Sequence, residues 1–129
     1  MSVVVLDTSA LLAALLDEKG RAVVDEHIQG ALMSTVNYAE VVGLFARAGA
    51  SDEEVDELLR GLPIELVSPD QEQARLAGLM CKEGEALGLS LGDWFCLALG
   101  KVREATVLTA DRAWKDAGKV LGVKVRLVR

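Results

Sequence analysis

Three observations predict an α/β fold with a central, mostly parallel five-stranded sheet flanked by helices on both faces. Short β-branched runs alternate with longer helical patterns along the chain, which calls for crossover connections and therefore parallel strands. The first run, Val3 to Leu6, is apolar at every position, as befits a strand buried on both faces. At 129 residues and 51% hydrophobic content, the chain has the length of one ordinary domain and can bury roughly two-thirds of its unfolded surface. Without a linker, low-complexity tract or internal repeat, residues 1–129 are expected to form a single domain.

The elements follow in order. After the first strand, Leu11 to Asp17 and Arg21 to Gln29 read as two helices broken near Gly20, with Gly30 as the stop. Ala31 to Met33 reads as a second strand. Ser34, Thr35 and Asn37 offer caps for a helix reaching about Ala48, which Gly49 ends. Ser51 and Glu54 have capping-box spacing and open a helix through Leu59, terminated by Gly61 and Pro63. Ile64 to Val67 is the third strand. Pro69 is expected at the start of a long helix through Leu87 and Gly88, following the usual placement of proline and glycine. Ser90 opens a helix to about Val102, Thr106 to Thr109 is the fourth strand, Arg112 to Ala117 a short helix, and Val123 to Leu127 the fifth strand.

Composition narrows the class. No apolar run approaches the ~20 residues that span a bilayer, and MSVVVLD lacks a basic segment before its apolar run, so it reads as strand and a cytoplasmic location is expected. Cys81 and Cys96 lie in apolar helical patterns without metal-ligand spacing, so they read as small buried hydrophobes. The net charge of −6 is uneven. Residues 1–93 hold 6 basic and 17 acidic side chains, a net of −11, whereas residues 94–129 hold 8 and 3, a net of +5. That basic quarter, with Lys101, Arg103, Arg112, Lys115, Lys119, Lys124, Arg126 and Arg129, can contact phosphates locally or simply be a solvated surface.

Chemistry concentrates in a few acids. Asp7 stands at the carboxyl end of the first strand, the edge where open α/β sheets bind ligands, although Asp7, Thr8 or Ser9 can equally cap the next helix. Asp52, Glu53, Glu54, Asp56 and Glu57 favour the dipole at a helix start and are otherwise solvated. Glu40 is different, since Val36, Gly43 and Leu44 are its helical neighbours. Asp93 likewise sits among Leu89, Cys96 and Leu97. A buried salt bridge would satisfy either one, because an unpaired buried carboxylate is costly. Asp111, just past the fourth strand, repeats the position of Asp7, with capping again the alternative. If the first and fourth strands are adjacent, all four acids can share one crevice, and an all-oxygen cluster favours Mg²⁺ or Mn²⁺ and phosphoryl chemistry.

The segments VVLDTSALLA, STVNYAEVVG, LSLGDWFCLALG and VLTADRAW, in this order over nearly the whole chain, resemble the PIN-domain ribonucleases, most of all the VapC toxins of VapBC toxin–antitoxin pairs. The resemblance implies a PIN-like fold and an Mg²⁺- or Mn²⁺-dependent endoribonuclease. It also implies a cognate antitoxin in the active-site groove and a homodimer. By motif, Asp7 and Asp93 match the main metal-ligating acids, Glu40 and Asp111 the acids completing the cluster, and Thr109 and Ser9 hydroxyls that orient a carboxylate, water or substrate. An antitoxin Arg or Lys directed at the four acids is expected from their charge as well. Trp94 and Phe95 are bulkier than is usual after the third acid and either line the groove, stacking on a base, or belong to the core. His27 is assigned no role.

Other readings stay open on the residues alone. A haloacid-dehalogenase-like phosphatase requires a second Asp two residues after the first, where Ser9 stands. A response-regulator receiver would carry an adjacent acidic pair near the first strand, which is missing. A non-catalytic subunit that binds a cation or a basic partner through these acids differs from the nuclease in showing no metal-dependent turnover.

Overall fold

In the computed structural model, which describes residues 2–129, strands β1 (Val4–Leu6), β2 (Leu32–Ser34), β3 (Glu65–Val67), β4 (Thr106–Thr109) and β5 (Val125–Leu127) form one sheet in the order β3-β2-β1-β4-β5. Every pairing is parallel. Helices α1 (Thr8–Leu15), α2 (Arg21–His27), α3 (Thr35–Arg47) and α4 (Asp52–Leu59) supply the crossovers leading to β2 and β3. The chain then returns through α5 (Gln71–Leu79), α6 (Cys81–Ala86) and α7 (Leu91–Arg103) to β4, and through a 3₁₀ turn at Arg112–Trp114 and α8 (Ala117–Leu121) to β5. None of these helices is long and apolar enough to cross a membrane.

Side-chain alternation along the strands divides the core in two. Val5, Leu32 and Val107 pack with Ala77, Leu97, Leu99 and Trp114, beneath α5 to α8. Val4, Leu6, Met33 and Leu108 face the other way and pack with Leu11, Val24, Val41 and Leu59, beneath α1 to α4. With β1 buried from Val4 to Leu6, the uninterrupted apolar run is explained by helices on both faces. β1 feeds β2 on one side, while β4, on its other side, feeds β5. The crevice at the carboxyl ends of β1 and β4 is thus the topological switch point of the sheet.

Several boundaries differ from the sequence reading, for local reasons. Val3 is exposed because the ladder with β4 starts at the Val4–Thr106 pair. α1 starts at Thr8 rather than Leu11, since Asp7 accepts the Ala10 N–H and makes its own successors the first turn. Ser34 both ends β2 and caps α3, and the Ser51–Glu54 capping box forms with both arms. Pro69 precedes the helix instead of starting it, because Asp70 is the N-cap. The long helix expected through Leu87 is broken at Met80 into α5 and α6. α6 then passes so close to α7 that a Cβ on Gly84 would lie 2.1 Å from the Trp94 indole nitrogen. The expected helix from Arg112 is only a 3₁₀ turn; α8 follows it and stops at Gly122, whose φ of +70° suits glycine. β5 consequently begins at Val125, two residues later than expected.

Candidate active site

Register brings the first two site residues together. Leu6 pairs with Leu108, and the Asp7 N–H continues the ladder to the Leu108 carbonyl, so Asp7 and Thr109 emerge side by side at the sheet edge. Asp7 is 4% exposed. Its Oδ1 accepts from the Ala10 N–H at 2.7 Å and its Oδ2 from the Thr109 hydroxyl at 2.6 Å. The Ser9 hydroxyl bridges both oxygens at 2.8 and 2.9 Å and itself accepts the Ala110 N–H. Burial nevertheless wins: it pushes Asp7 from an ordinary 3.8 to about 6, with the Thr109, Ala10 and Ser9 bonds opposing it and Asp93 adding repulsion. A carboxylate offers about four lone-pair sites, so these three donors leave capacity for one more ligand.

Glu40 reaches the same crevice from the second turn of α3 and is half-buried. Its Oε1 accepts from Thr8 Oγ1 at 2.7 Å and from Asn37 Nδ2 at 2.9 Å. Asp93 enters from the first turn of α7, where its Oδ2 accepts the Ser90 N–H at 2.9 Å. Burial raises its pKa first, the Ser90 bond opposes this, and Glu40 and Asp111 repel it further. Asp111 is exposed at the start of the 3₁₀ turn; its Oδ1 accepts the Ala113 N–H, and its own N–H donates to Thr109 Oγ1. Beneath them lies Cys96, whose thiol is held well above its ordinary value by burial, with Asp7, Asp93 and Glu40 adding to the effect.

Both readings of these acids are therefore realised at once. Asp7 and Asp111 cap helical turns, and Asp93 reaches back to the N–H of the Ser90 cap, which aims all three at one edge. The salt-bridge reading fails, because the ion pairs among the described residues join Arg21 to Asp17 and Asp25, Arg60 to Asp56 and Arg129 to Glu18. No cationic side chain there neutralises the four acids. Nor do any three His, Cys, Asp or Glu side chains among the described residues close into a ready-made metal cage. The crevice is an open acidic site rather than a sealed one. Trp94 is 7% exposed and Phe95 packs partly buried against the same core, so these two aromatics are structural.

Three neighbours of the acids were not singled out by sequence. Asn37, assigned to capping, instead binds Glu40 and, through the same Nδ2, the Gly92 carbonyl at 3.0 Å. Thr8 serves Glu40 as well. Gly92 has no side chain because a Cβ would lie 2.4 Å from Glu40 Oε2. Signals existed: Asn37 is three residues before Glu40 on one helix face, and a glycine inside a helix often marks close approach.

This geometry defines a doubly wound α/β protein whose switch-point crevice is lined by unneutralised acids from four different elements. The PIN domain profile matches residues 4–120. The chain belongs to the PIN-domain family, among its VapC proteins. Ribonuclease VapC of Mycolicibacterium smegmatis is 34% identical, the match covering 86% of this chain and 93% of that protein. Ribonuclease VapC42 of Mycobacterium tuberculosis is 31% identical, over 76% and 82% respectively. In three dimensions, a chain of a toxin–antitoxin complex from Klebsiella pneumoniae matches with a TM-score of 0.76 at 16% identity, covering 98% of each chain. At that identity the likeness speaks for the fold.

Proposed function

We propose that this protein is an endoribonuclease dependent on Mg²⁺ or Mn²⁺, and the toxin of a two-component toxin–antitoxin module. The observation that carries the reading is the convergence of Asp7, Glu40, Asp93 and Asp111 on one sheet edge without a cationic side chain among the described residues to pair with them. Relatives named as ribonucleases that align over most of their length support the substrate class.

The donor set fits a hard divalent cation. It is all oxygen, mutually repelling, and half-buried at Glu40 and Asp93 with Asp111 exposed, which suits an ion that keeps several of its waters. Asp7 and Asp93 would hold the ion, with Glu40 and Asp111 completing the set directly or through water. When bound, such an ion lowers the pKa of water and neutralises charge on a phosphodiester oxygen. Thr109 and Ser9 hold the Asp7 carboxylate in one orientation, and with the Ala10 N–H they keep it ionised at neutral pH despite its burial. Glu40 Oε2 receives no hydrogen bond from the described residues and remains an available acceptor facing the crevice. Arg112 and Lys115, exposed on the turn after Asp111, offer cations to the RNA backbone.

An antitoxin that directs an Arg at the acids would compete for the same charge, since a guanidinium can meet two carboxylate oxygens at fixed geometry. The test is cleavage of RNA by purified protein with and without Mg²⁺, alongside calorimetric titration of the ion into the apo protein. Metal-dependent cleavage that Asp7→Asn or Asp93→Asn abolishes is the expected result. Uptake of the ion without turnover on any RNA would favour a binding subunit instead.

A further inference from the structure

We propose that Asn37 is a positioning residue that immobilises Glu40 Oε1 and so presents Glu40 Oε2 to the catalytic crevice. This inference rests on the metal-dependent reading given above. Asn37 is 1% exposed, and its Nδ2 donates both to Glu40 Oε1 at 2.9 Å and to the Gly92 carbonyl at 3.0 Å. The same Oε1 accepts a second donor, Thr8 Oγ1, at 2.7 Å. Oε1 is thereby tied to α1, α3 and α7 together. Oε2 lies over the bare α-carbon of Gly92, where a Cβ would sit 2.4 Å away, and no described residue donates to it.

Chemistry favours an amide in this place. A Lys or Arg could donate to Oε1 as well, but its charge would neutralise the acid and repel a cation. Asn donates without charge. The residue is also not there simply to fill space, because its Oδ1 is buried with no hydrogen-bond partner among the described residues. Leu has nearly the same shape and would avoid that orphaned acceptor. Packing alone therefore does not call for Asn37; its two donated bonds do.

The experiment uses the apo protein and Mn²⁺ as the probe, comparing wild type, Asn37→Leu and Thr8→Val. Mn²⁺ affinity is measured by calorimetry, and RNA cleavage is followed against Mn²⁺ concentration. Asn37→Leu is expected to weaken Mn²⁺ binding by about 10-fold to 100-fold, the usual effect of losing a partner that orients a ligand. The half-saturating Mn²⁺ concentration should rise with it, while the rate at saturating Mn²⁺ falls less. Thr8→Val should move the same quantities in the same direction. Unchanged Mn²⁺ affinity in a folded Asn37→Leu protein overturns the proposal, as does a loss of affinity that only tracks a lowered melting temperature. If Asn37→Leu does not fold, Thr8→Val at a half-buried site decides, and wild-type affinity there overturns it. Wild-type protein that takes up no Mn²⁺ overturns the metal reading itself; normal wild-type binding matched by both variants overturns only the role of Asn37.

Discussion

Thr109 donates its hydroxyl to Asp7 Oδ2 at 2.6 Å, across the seam where β4 lies beside β1. Both residues are buried, so this bond opposes the desolvation that otherwise drives Asp7 toward its protonated form. Thr109→Val keeps the shape and removes the donor. It is expected to raise the Asp7 pKa above 6 and to destabilise the apo protein by about 1.5–3 kcal/mol at pH 8, the range for a hydrogen bond to a charged group. Urea unfolding at pH 8 and pH 4 checks this, the loss being smaller at pH 4, where Asp7 is protonated.

The sign of the pH dependence follows from the direction of the Asp7 shift. Its folded-state value is raised from 3.8 to about 6, so the folded protein holds this proton more tightly than the unfolded chain does. The stability from that proton is full below pH 3.8 and is lost as pH rises through 6. At about 1.4 kcal/mol per unit, the loss is roughly 3 kcal/mol. Asp7→Asn, which cannot ionise, should therefore gain on wild type between pH 4 and pH 8 in metal-free buffer. Parallel stability curves for the two proteins would show that Asp7 is not the group concerned.

Divalent ions should reverse that penalty. Under the proposed function, Mg²⁺ or Mn²⁺ at 100 times its Kd stabilises the fold by about 2.7 kcal/mol through binding linkage. The melting temperature of wild type should rise with the ion, and that of Asp93→Asn should rise far less. Equal rises in both proteins would place the ion elsewhere.

Gly92→Ala separates helix propensity from site geometry. Alanine has the higher helix propensity, yet this Cβ would lie 2.4 Å from Glu40 Oε2. The expected variant stays folded but cleaves RNA poorly, because Glu40 is displaced. Full activity would mean that Glu40 can move without consequence.

Gly84→Ala tests the packing of α6 on α7. The new Cβ would lie 2.1 Å from Trp94 Nε1, a buried nitrogen without a hydrogen-bond partner among the described residues. Overpacking of this kind costs about 1–3 kcal/mol, measurable as a lower urea midpoint with an unchanged slope.

The local code of this chain was legible where it is repetitive. Apolar runs marked the strands, and Ser51 with Glu54 marked a helix start that forms as expected. Where two local signals competed, it was not. Asp7, Thr8 and Ser9 each offered a cap for the next helix; Asp7 is the cap, and Thr8 and Ser9 serve as the first turn of α1. The pattern through Leu87 has helical periodicity throughout, so only the close approach of Gly84 to Trp94 reveals that α5 and α6 are separate.

Sequence by itself determined the class of fold, the order of its elements and the four acids set at strand ends and near the starts of helices. Each of those depends on neighbours within a few residues, through hydrogen-bond geometry and hydrophobic period. Tertiary structure decided that the group Thr109 steadies is the carboxylate of Asp7, 102 residues away, and that Asn37 joins Glu40 to Gly92, 55 residues away. It also decided that Trp94 belongs to the core rather than to a binding groove. Those relationships depend on strand register and helix packing, which bring side chains together through space and leave no periodic trace in the order of residues along the chain.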